Sequence, residues 1–129
     1  MKVLGLNAFH GDASACLFDN GNLIVAAEEE RFTRIKHAAG FPKNAIEFCL
    51  KSNNLKISDI DFIAINRNPK TRILHKLIYA SSNLFNIKNL FNRLENFKKI
   101  NSLENEFAKH FDIESKSLKD KIFHIDHHL

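Results

Sequence analysis

Residues 2–28 read KVLGLNAFHGDASACLFDNGNLIVAAE and contain three short apolar runs separated by turn-forming residues. The runs Lys2–Leu6, Ala13–Phe18 and Leu23–Ala27 have the length and hydropathy of β-strands. Residues 19–22, DNGN, are a strong hairpin signal because Asn-Gly adopts the left-handed angles of a tight turn. The chain is therefore predicted to open with a meander of three strands, and its first connection, AFHGDAS, is longer and more polar than a tight hairpin.

Charged residues fill the next segment, EEERFTRIKHAAGFP at 28–42. Three acids, dispersed basic residues and the Gly-Phe-Pro break predict a loop with one helical turn. Pro42 favours the start of a helix, and Ser52–Asn54 its end. The buried face of this helix is predicted to contain Ala45, Ile46, Phe48, Cys49 and Leu50. A buried strand is expected at Phe62–Ile65.

A helical insertion is predicted over residues 70–111. Apolar residues recur there at intervals of three and four, at Leu84, Ile87, Leu90, Phe91, Leu94 and Phe97, then by fours at Leu103, Phe107 and Phe111. Residues 115–121 are polar, and a last short strand is predicted at Ile122–Ile125. This order of strands and helices favours an α/β or mixed sheet covered by helices, without internal repeats.

Composition narrows the class of protein. The 129 residues are 44% apolar and 26% charged, which is typical of one soluble globular domain. The net charge of +4 is dispersed, so no basic patch predicts nucleic-acid binding, whereas a phosphorylated small substrate suits it. Cys16 and Cys49 lie in apolar stretches without CxxC spacing and are predicted to be buried thiols. No leader or membrane-length apolar run is seen, which favours a cytoplasmic location and no membrane partner.

The first connection concentrates candidate catalytic groups. HGDASA places His10, Asp12 and Ser14 within five residues, beside Gly11, which can adopt backbone angles that other residues avoid. A turn of this kind can present N–H groups to an anion, and an imidazole can donate to a phosphate or shuttle a proton near neutral pH. The alternative is a plain polar turn in which His10 merely caps a loop.

A second group of candidates follows in EEERFTRIKH, which contains Arg31, Arg34, Lys36 and His37. Such cations can hold phosphate oxygens, and Arg is better suited than Lys to bidentate contacts. Arg34 and Lys36 are the favoured pair. The alternative is a solvated charged loop without a ligand.

The run from Val3 to Pro42 closely resembles the opening of the carbamoyltransferase family that includes the nodulation-factor, tobramycin and cephamycin carbamoyltransferases. Three signatures carry the resemblance in order, HGDASA, EEERFTRIKH and the terminal DHHL, whereas residues 66–118 match weakly. The resemblance implies an α/β first lobe of the actin, sugar-kinase and Hsp70 type, which is ribonuclease H-like. Residues 1–129 would be the N-terminal fragment of the family's N-terminal domain, truncated before a second lobe and a C-terminal carbamoyl-phosphate-activating domain.

The same resemblance implies an ATP-dependent O-carbamoyltransferase. Family members form a carbamoyl-adenylate from carbamoyl phosphate and ATP, then pass the carbamoyl group to a hydroxyl of a sugar or natural product. His10, with Asp12 nearby, matches the histidine assigned to transfer, and an imidazole can serve as base toward the hydroxyl or donor toward the carbamoyl oxygen. The residues then expected to contact substrate or nucleotide are Gly11, Ser14, Arg34, Lys36 and His37.

DHHL, at residues 126–129, resembles the first part of the family's HHLAHA motif, in which two histidines four residues apart bind a divalent metal, iron-like or other. His127 fits the first position, and the second would lie two residues beyond Leu129. Imidazoles at this spacing lie on one face of a helix, as in two-histidine metal sites. Without the resemblance, a polar strand end is the alternative.

Two other functions stay open. A threonylcarbamoyl-transfer protein of the same fold class also uses a two-histidine metal site and a carbamoyl-adenylate, but the EEERFTRIKH segment argues against it. A non-catalytic module could instead dock to a second polypeptide through the Leu84–Phe97 stripe. As part of a carbamoyltransferase, the fragment alone is expected to be inactive, with a second polypeptide supplying the missing lobes.

Overall fold

A five-stranded mixed sheet organises the protein. The computed structural model describes residues 1–66 and 103–125, in which the sheet has the strand order β3-β2-β1-β4-β5. The elements in chain order are β1 (Lys2–Asn7), β2 (Ser14–Asp19), β3 (Asn22–Glu28), α1 (Glu30–Thr33), α2 (Lys43–Lys51), a 3-10 turn (Ile57–Asp59), β4 (Phe62–Ile65), α3 (Leu103–Phe111), α4 (Ser115–Leu118) and β5 (Ile122–His124). Strands β1, β2 and β3 pair antiparallel, whereas β4 is parallel to β1 and β5 is parallel to β4. The predicted mixed α/β sheet and its opening meander are confirmed.

The β2–β3 hairpin follows from the DNGN sequence. Asn20 has φ +49° and Gly21 has φ +84°, so both turn residues adopt left-handed angles. Asparagine and glycine tolerate this region best, and a turn of this hand matches the twist of the flanking strands. The turn thereby sets Asp19 opposite Asn22 at the start of the pairing.

Helix α2 packs on the sheet through one stripe of its surface. The buried residues of this helix are Ala45, Ile46, Cys49 and Leu50. Phe48, predicted on the buried face, is 42% exposed. That prediction was wrong because position 48 lies at the flank of the stripe formed by 45, 46, 49 and 50. The Phe48 ring instead packs against Phe32, with 5.6 Å between ring centroids.

The predicted helical insertion is described only at its end. Residues 103–111 form α3, and Leu103 and Phe107 are buried, as the spacing by fours predicts. Residues 70–102 of the insertion, with the Leu84–Phe97 stripe, lie outside the described residues. The polar segment at 115–121 contains the short helix α4, which the sequence prediction missed and which buries Leu118. Strand β5 then follows as predicted, one residue shorter.

The hydrophobic core lies on one face of the sheet. Leu4 and Leu6 of β1, with Ile63 and Ile65 of β4, alternate toward the face on which α2, α3 and α4 bury their apolar side chains. Among residues 1–66 and 103–125, no helix has the length and apolar character to cross a membrane.

The two cysteines differ in environment. Both are free thiols, but Cys49 is buried in the core whereas Cys16 is partly exposed on the other face of the sheet. Burial raises the pKa of both thiols, that of Cys49 to about 11. The prediction of buried thiols is therefore confirmed for Cys49 and wrong in part for Cys16, because alternation along β2 turns Cys16 away from the helices.

Candidate functional site

The candidate site lies at the edge of the sheet where the parallel strands β1 and β4 end. Asn7 closes β1 and Asn66 directly follows β4, while Ser14 pairs with Asn7 and Glu28 pairs with Ser14. Asn66 Nδ2 donates to Asn7 Oδ1 over 2.9 Å, and Asn7 Nδ2 donates to the carbonyl oxygen of Asp12 over 2.8 Å. The carboxyl ends of strands in open α/β sheets are the usual place for ligands. Four polar side chains meet there, and sequence analysis singled out only Ser14.

Two loops are joined at this edge by their main chains. The backbone N–H of Phe9 donates to Gly40 O over 2.8 Å, and that of Ala13 donates to Ala38 O over 2.9 Å. These bonds join the first loop (residues 8–13) to the second loop (residues 34–42). The HGDASA and EEERFTRIKH motifs, separate in sequence, therefore form one structural unit.

A carboxylate and an imidazole pair across the two loops. Asp12 Oδ1 lies 2.7 Å from His37 Nδ1. Both residues have left-handed backbone angles, φ +61° and +54°, which non-glycine residues rarely adopt. The hydrogen bond and the charge of Asp12, with a smaller contribution from Glu30, raise the pKa of His37 above its ordinary value. The pair is open to solvent, since the side chains are 61% and 80% exposed.

The rest of HGDASA differs from the sequence prediction. His10 is exposed, and its Nδ1 lies 3.3 Å from the carbonyl oxygen of Gly11. The left-handed residues of the first loop are Phe9 and Asp12, not Gly11 as expected. A methyl group at Gly11 would meet no atom within 4 Å, so the position does not require glycine. The expected N–H cradle is also reduced, because the amides of Phe9 and Ala13 bond to the second loop.

A groove of about 940 Å³ opens on the sheet face that carries Cys16. Its walls at the site edge include Asn7, Ser14, Glu28 and Asn66, and Arg31 contributes a cation. The structure thus brings Ser14 and Arg31 to one cavity. Arg31 belongs to the second motif, although Arg34 and Lys36 were favoured over it.

The two favoured cations, Arg34 and Lys36, do not line the groove. Arg34 ends α1 in a left-handed conformation, φ +61°, and its backbone N–H donates to Glu30 O over 2.9 Å. The side chains of Arg34 and Lys36 are exposed, and neither is among the described residues that line the groove. His127, the predicted metal ligand, lies outside the described residues. Their predicted roles as ligand-binding residues stay predictions.

Glu29 is a structural residue of the site that sequence reasoning missed. Its carboxylate is buried and accepts three hydrogen bonds at the start of α2, from the backbone and side-chain amides of Asn44 and from the backbone N–H of Ala45. Its own backbone N–H donates to Ala13 O over 2.8 Å. Within the run EEE only Glu29 is buried. The in-and-out alternation of side chains along β3, continued one residue past the end of the strand, would have indicated this.

Several curated proteins are similar to this chain. A protein of Synechocystis sp. is 37% identical over 67 residues, and the nodulation protein NolNO of Sinorhizobium fredii is 45% identical over 58 residues. A protein of Methanocaldococcus jannaschii is 27% identical over 109 residues. These matches cover 52%, 45% and 84% of this chain but 11%, 8% and 16% of the relatives, so the chain spans a small part of their length.

The family model described as carbamoyltransferase N-terminus matches residues 2–127. The matched range contains both loops of the candidate site and every strand of the sheet. It confirms the resemblance that HGDASA, EEERFTRIKH and DHHL indicate in the sequence. The chain therefore belongs to the carbamoyltransferase N-terminus family.

Proposed function

We propose that this chain is the nucleotide-facing part of an ATP-dependent O-carbamoyltransferase. The enzyme would transfer a carbamoyl group from carbamoyl phosphate, through carbamoyl-adenylate, to a hydroxyl of a sugar or natural product. Family membership supports the transferase class. Three antiparallel strands followed by two parallel ones are compatible with a first lobe of the actin, sugar-kinase and Hsp70 type. Residues 1–129 then form the N-terminal fragment of the family's N-terminal domain.

The observation that carries the proposal is the Asp12–His37 pair, formed where the two family motifs meet. A carboxylate that accepts from Nδ1 holds an imidazole in the tautomer whose Nε2 has a free lone pair. Nε2 of His37 can then accept the proton of the acceptor hydroxyl while the hydroxyl oxygen bonds to the carbamoyl carbon. The bond from that carbon to the adenylate phosphate oxygen breaks, and AMP leaves with the electron pair. The exposed ring can release the proton to solvent.

The remaining candidates take supporting roles in this proposal. His10, in the same loop as Asp12, is the donor toward the carbamoyl oxygen as charge builds there. Ser14 and Arg31 share the groove and suit phosphate oxygens, Arg31 by bidentate contact. Arg34 and Lys36 present exposed cations that attract anionic substrates over longer distances.

A divalent metal, iron-like or other, enters the proposal through His127. When bound, it would offset negative charge on phosphate oxygens. In residues 1–66 and 103–125, no three His, Cys, Asp or Glu side chains are arranged to hold a metal ion. A single imidazole binds a divalent ion weakly compared with three or four ligands, so the described part of the chain does not fit a complete site. The other ligands would come from further polypeptide of the family enzyme.

The test compares activation with transfer in this chain combined with the remainder of the family enzyme. Carbamoyl phosphate, ATP and a panel of hydroxylated acceptors are supplied, and pyrophosphate release is measured beside carbamoylated product. Asp12→Asn and His37→Asn should each lower transfer by about 10²-fold or more, the usual contribution of a general base, with pyrophosphate release retained. His10→Asn should also abolish transfer and spare activation.

Asp112→Asn is the matched control, since Asp112 is also an exposed aspartate with a left-handed backbone, φ +50°. It should leave both readouts unchanged. Absence of carbamoylated product with the unaltered enzyme would overturn the function itself. Unchanged transfer in the Asp12 and His37 variants would overturn only the role of the pair.

A further inference from the structure

The second loop packs against α3 through one aromatic side chain, Phe41. The rings of Phe41 and Phe107 are nearly perpendicular, with 5.1 Å between their centroids and 85° between their planes. The Phe41 ring also stacks on the imidazole of His110, at 5.5 Å and 10°. Edge-to-face and stacked pairs favour particular ring orientations, so they stabilise one arrangement beyond the apolar area that they bury. The contact therefore fixes the direction as well as the position of the Phe41 side chain.

The surface that meets Phe41 is supplied by α3. Phe107 is completely buried in the core. His110 Nε2 lies 3.4 Å from Glu106 Oε2, one helical turn earlier, and the two side chains are only 23% and 27% exposed. Phe111 completes the cluster, with its ring centroid 6.5 Å from that of Phe41 and 5.8 Å from that of Phe107. In residues 1–66 and 103–125, the ring contacts of Phe41 are thus all with α3, which lies outside both family motifs of the site.

Gly40, directly before Phe41, joins the two loops. Its carbonyl oxygen accepts the 2.8 Å hydrogen bond from the backbone N–H of Phe9. Its φ of +125° is a conformation that glycine adopts readily and other residues rarely adopt. Because glycine imposes so few backbone restrictions, the orientation of that carbonyl group depends on how the next residue is held. The ring of Phe41 supplies a constraint from α3.

A short segment connects His37 to the same anchor. Residues 38–40 separate His37 from Phe41 and contain both carbonyl oxygens that accept from the first loop. The side chains of Asp12 and His37 are 61% and 80% exposed, and a solvent-exposed ion pair holds its own geometry weakly. Both residues also have left-handed backbone angles, which persist where the surroundings enforce them. The 2.7 Å distance between Asp12 Oδ1 and His37 Nδ1 therefore depends on the backbone positions of the two loops.

We propose that Phe41 is a positioning residue: its ring allows α3 to hold the second loop where His37 can pair with Asp12. Phe41 itself would contact no substrate and would act only through His37. Loss of the ring would let residues 38–40 move away from the first loop and would lengthen the distance between the two paired side chains. The placement of the loop is a property of this chain alone, whereas its effect on carbamoyl transfer rests on the proposed function.

Hydrogen exchange measures the loop directly in the 129-residue chain. Phe41→Leu keeps an apolar side chain but removes the ring. The exchange rate of the Phe9 N–H, divided by that of the Ile63 N–H inside the sheet, should rise at least about 10-fold, because the bond to Gly40 opens locally. Phe111→Leu is the matched control, since Phe111 is also a partly buried ring of the cluster but lies outside the loop. It should not raise this ratio, because a general loss of stability speeds the exchange of Ile63 at least as much.

An NMR titration of the His37 ring gives an independent readout. The pKa of His37, which the hydrogen bond and the charge of Asp12 raise, should fall toward 6.5 in Phe41→Leu and stay raised in Phe111→Leu. The α3 side of the contact provides two further variants that leave the loop sequence unaltered. His110→Ala removes the stacked face and should reproduce both effects, whereas His110→Phe keeps a flat ring and should behave as the unaltered protein.

Transfer is measured last, in this chain combined with the remainder of the family enzyme. Phe41→Leu should lower the rate of transfer by about 10²-fold, the effect of misplacing a reacting group by about 1 Å, with pyrophosphate release retained. An exchange ratio or a His37 pKa that is the same in Phe41→Leu as in Phe111→Leu would overturn the role of Phe41. Transfer that is lost in Asp12→Asn but retained in Phe41→Leu would overturn it as well. If the unaltered enzyme forms no carbamoylated product, the proposed function fails, while exchange and titration still decide whether Phe41 positions the loop.

Discussion

Replacing Glu29 should destabilise the protein more than replacing its exposed neighbour Glu28. The Glu29 carboxylate accepts from the backbone N–H of Asn44 over 3.3 Å, from Asn44 Nδ2 over 2.7 Å and from the backbone N–H of Ala45 over 2.9 Å. These are among the first amides of α2, and Pro42 at its N-cap position contributes no side-chain capping bond. A hydrogen bond to a charged group contributes about 1.5–3 kcal/mol, and a negative charge at a helix N-terminus about 0.3–1 kcal/mol.

Glu29→Gln keeps one acceptor oxygen, but it loses the charge and directs an amide group toward other N–H donors. We expect it to lower the free energy of unfolding by about 2 kcal/mol, and Glu29→Ala by about 3 kcal/mol, since alanine leaves buried donors without an acceptor. In a domain of this size the melting temperature falls by about 4 °C for each kcal/mol, which predicts losses of about 8 and 12 °C. Thermal unfolding followed by far-UV circular dichroism measures both.

Glu28→Gln is the matched control because Glu28 is adjacent, chemically identical and exposed. Its stability should stay within about 0.5 kcal/mol of the unaltered protein. A Glu29→Gln protein that melts within about 2 °C of the Glu28→Gln protein would refute the reasoning, since the buried carboxylate would then contribute no more than a surface one.

Three further outcomes test the Asp12–His37 pair and the close contact between Gly5 and Cys16. Asp12→Asn should bring the pKa of His37 down toward its ordinary value of 6.5, because the hydrogen bond and charge that raise it are lost. An NMR titration of the ring measures this change. Asp112→Asn, the control, should leave the pKa of His37 unchanged. Because the pKa of His37 is raised in the folded state, the pair stabilises the fold below pH 6.5. This stabilisation is lost as the pH rises through the folded-state pKa. Asp12→Asn should therefore affect stability at about pH 5.5 and not at about pH 9. Gly5→Ala should destabilise by about 1–2 kcal/mol through overpacking against Cys16 Sγ, and addition of Cys16→Ala should restore most of the loss in urea unfolding. An additive double variant would show that the two positions do not clash.

Local sequence signals were sufficient for most of the sheet. The DNGN turn and the apolar runs on either side of it predict β2 and β3 because the turn chemistry and the strand pattern agree. The errors fall where tertiary packing decides. Phe48 is as apolar as its neighbours, but it lies at the flank of the buried stripe of α2 and its ring packs against Phe32. Helix α4 is too short for a periodic signal, and its formation depends on burying Leu118.

The sequence indicates which residues could act at the site better than it indicates which of them lie together. Asp12 and His37 are 25 residues apart, and no local pattern indicates that they pair. Asn7 and Asn66 each follow a predicted strand, so a search for polar residues at strand ends would have found them if the two strands had been assigned as parallel neighbours. That pairing is a property of the sheet order, which residue types do not encode locally.

The second loop is fixed in place mainly by groups that are not candidate ligands. Before it, Glu29 is fixed to the start of α2 by its carboxylate and to the first loop by its backbone N–H. Within it, the carbonyl oxygens of Ala38 and Gly40 accept the bonds from the first loop. Main-chain atoms, the buried Glu29, the ring of Phe41 and the Asp12–His37 pair provide the anchoring. Among residues 1–66 and 103–125, the side chains of Arg34 and Lys36 take no part in it. Substitution of Arg34 or Lys36 should therefore change ligand binding without unfolding the loop, whereas loss of Glu29 should disturb both.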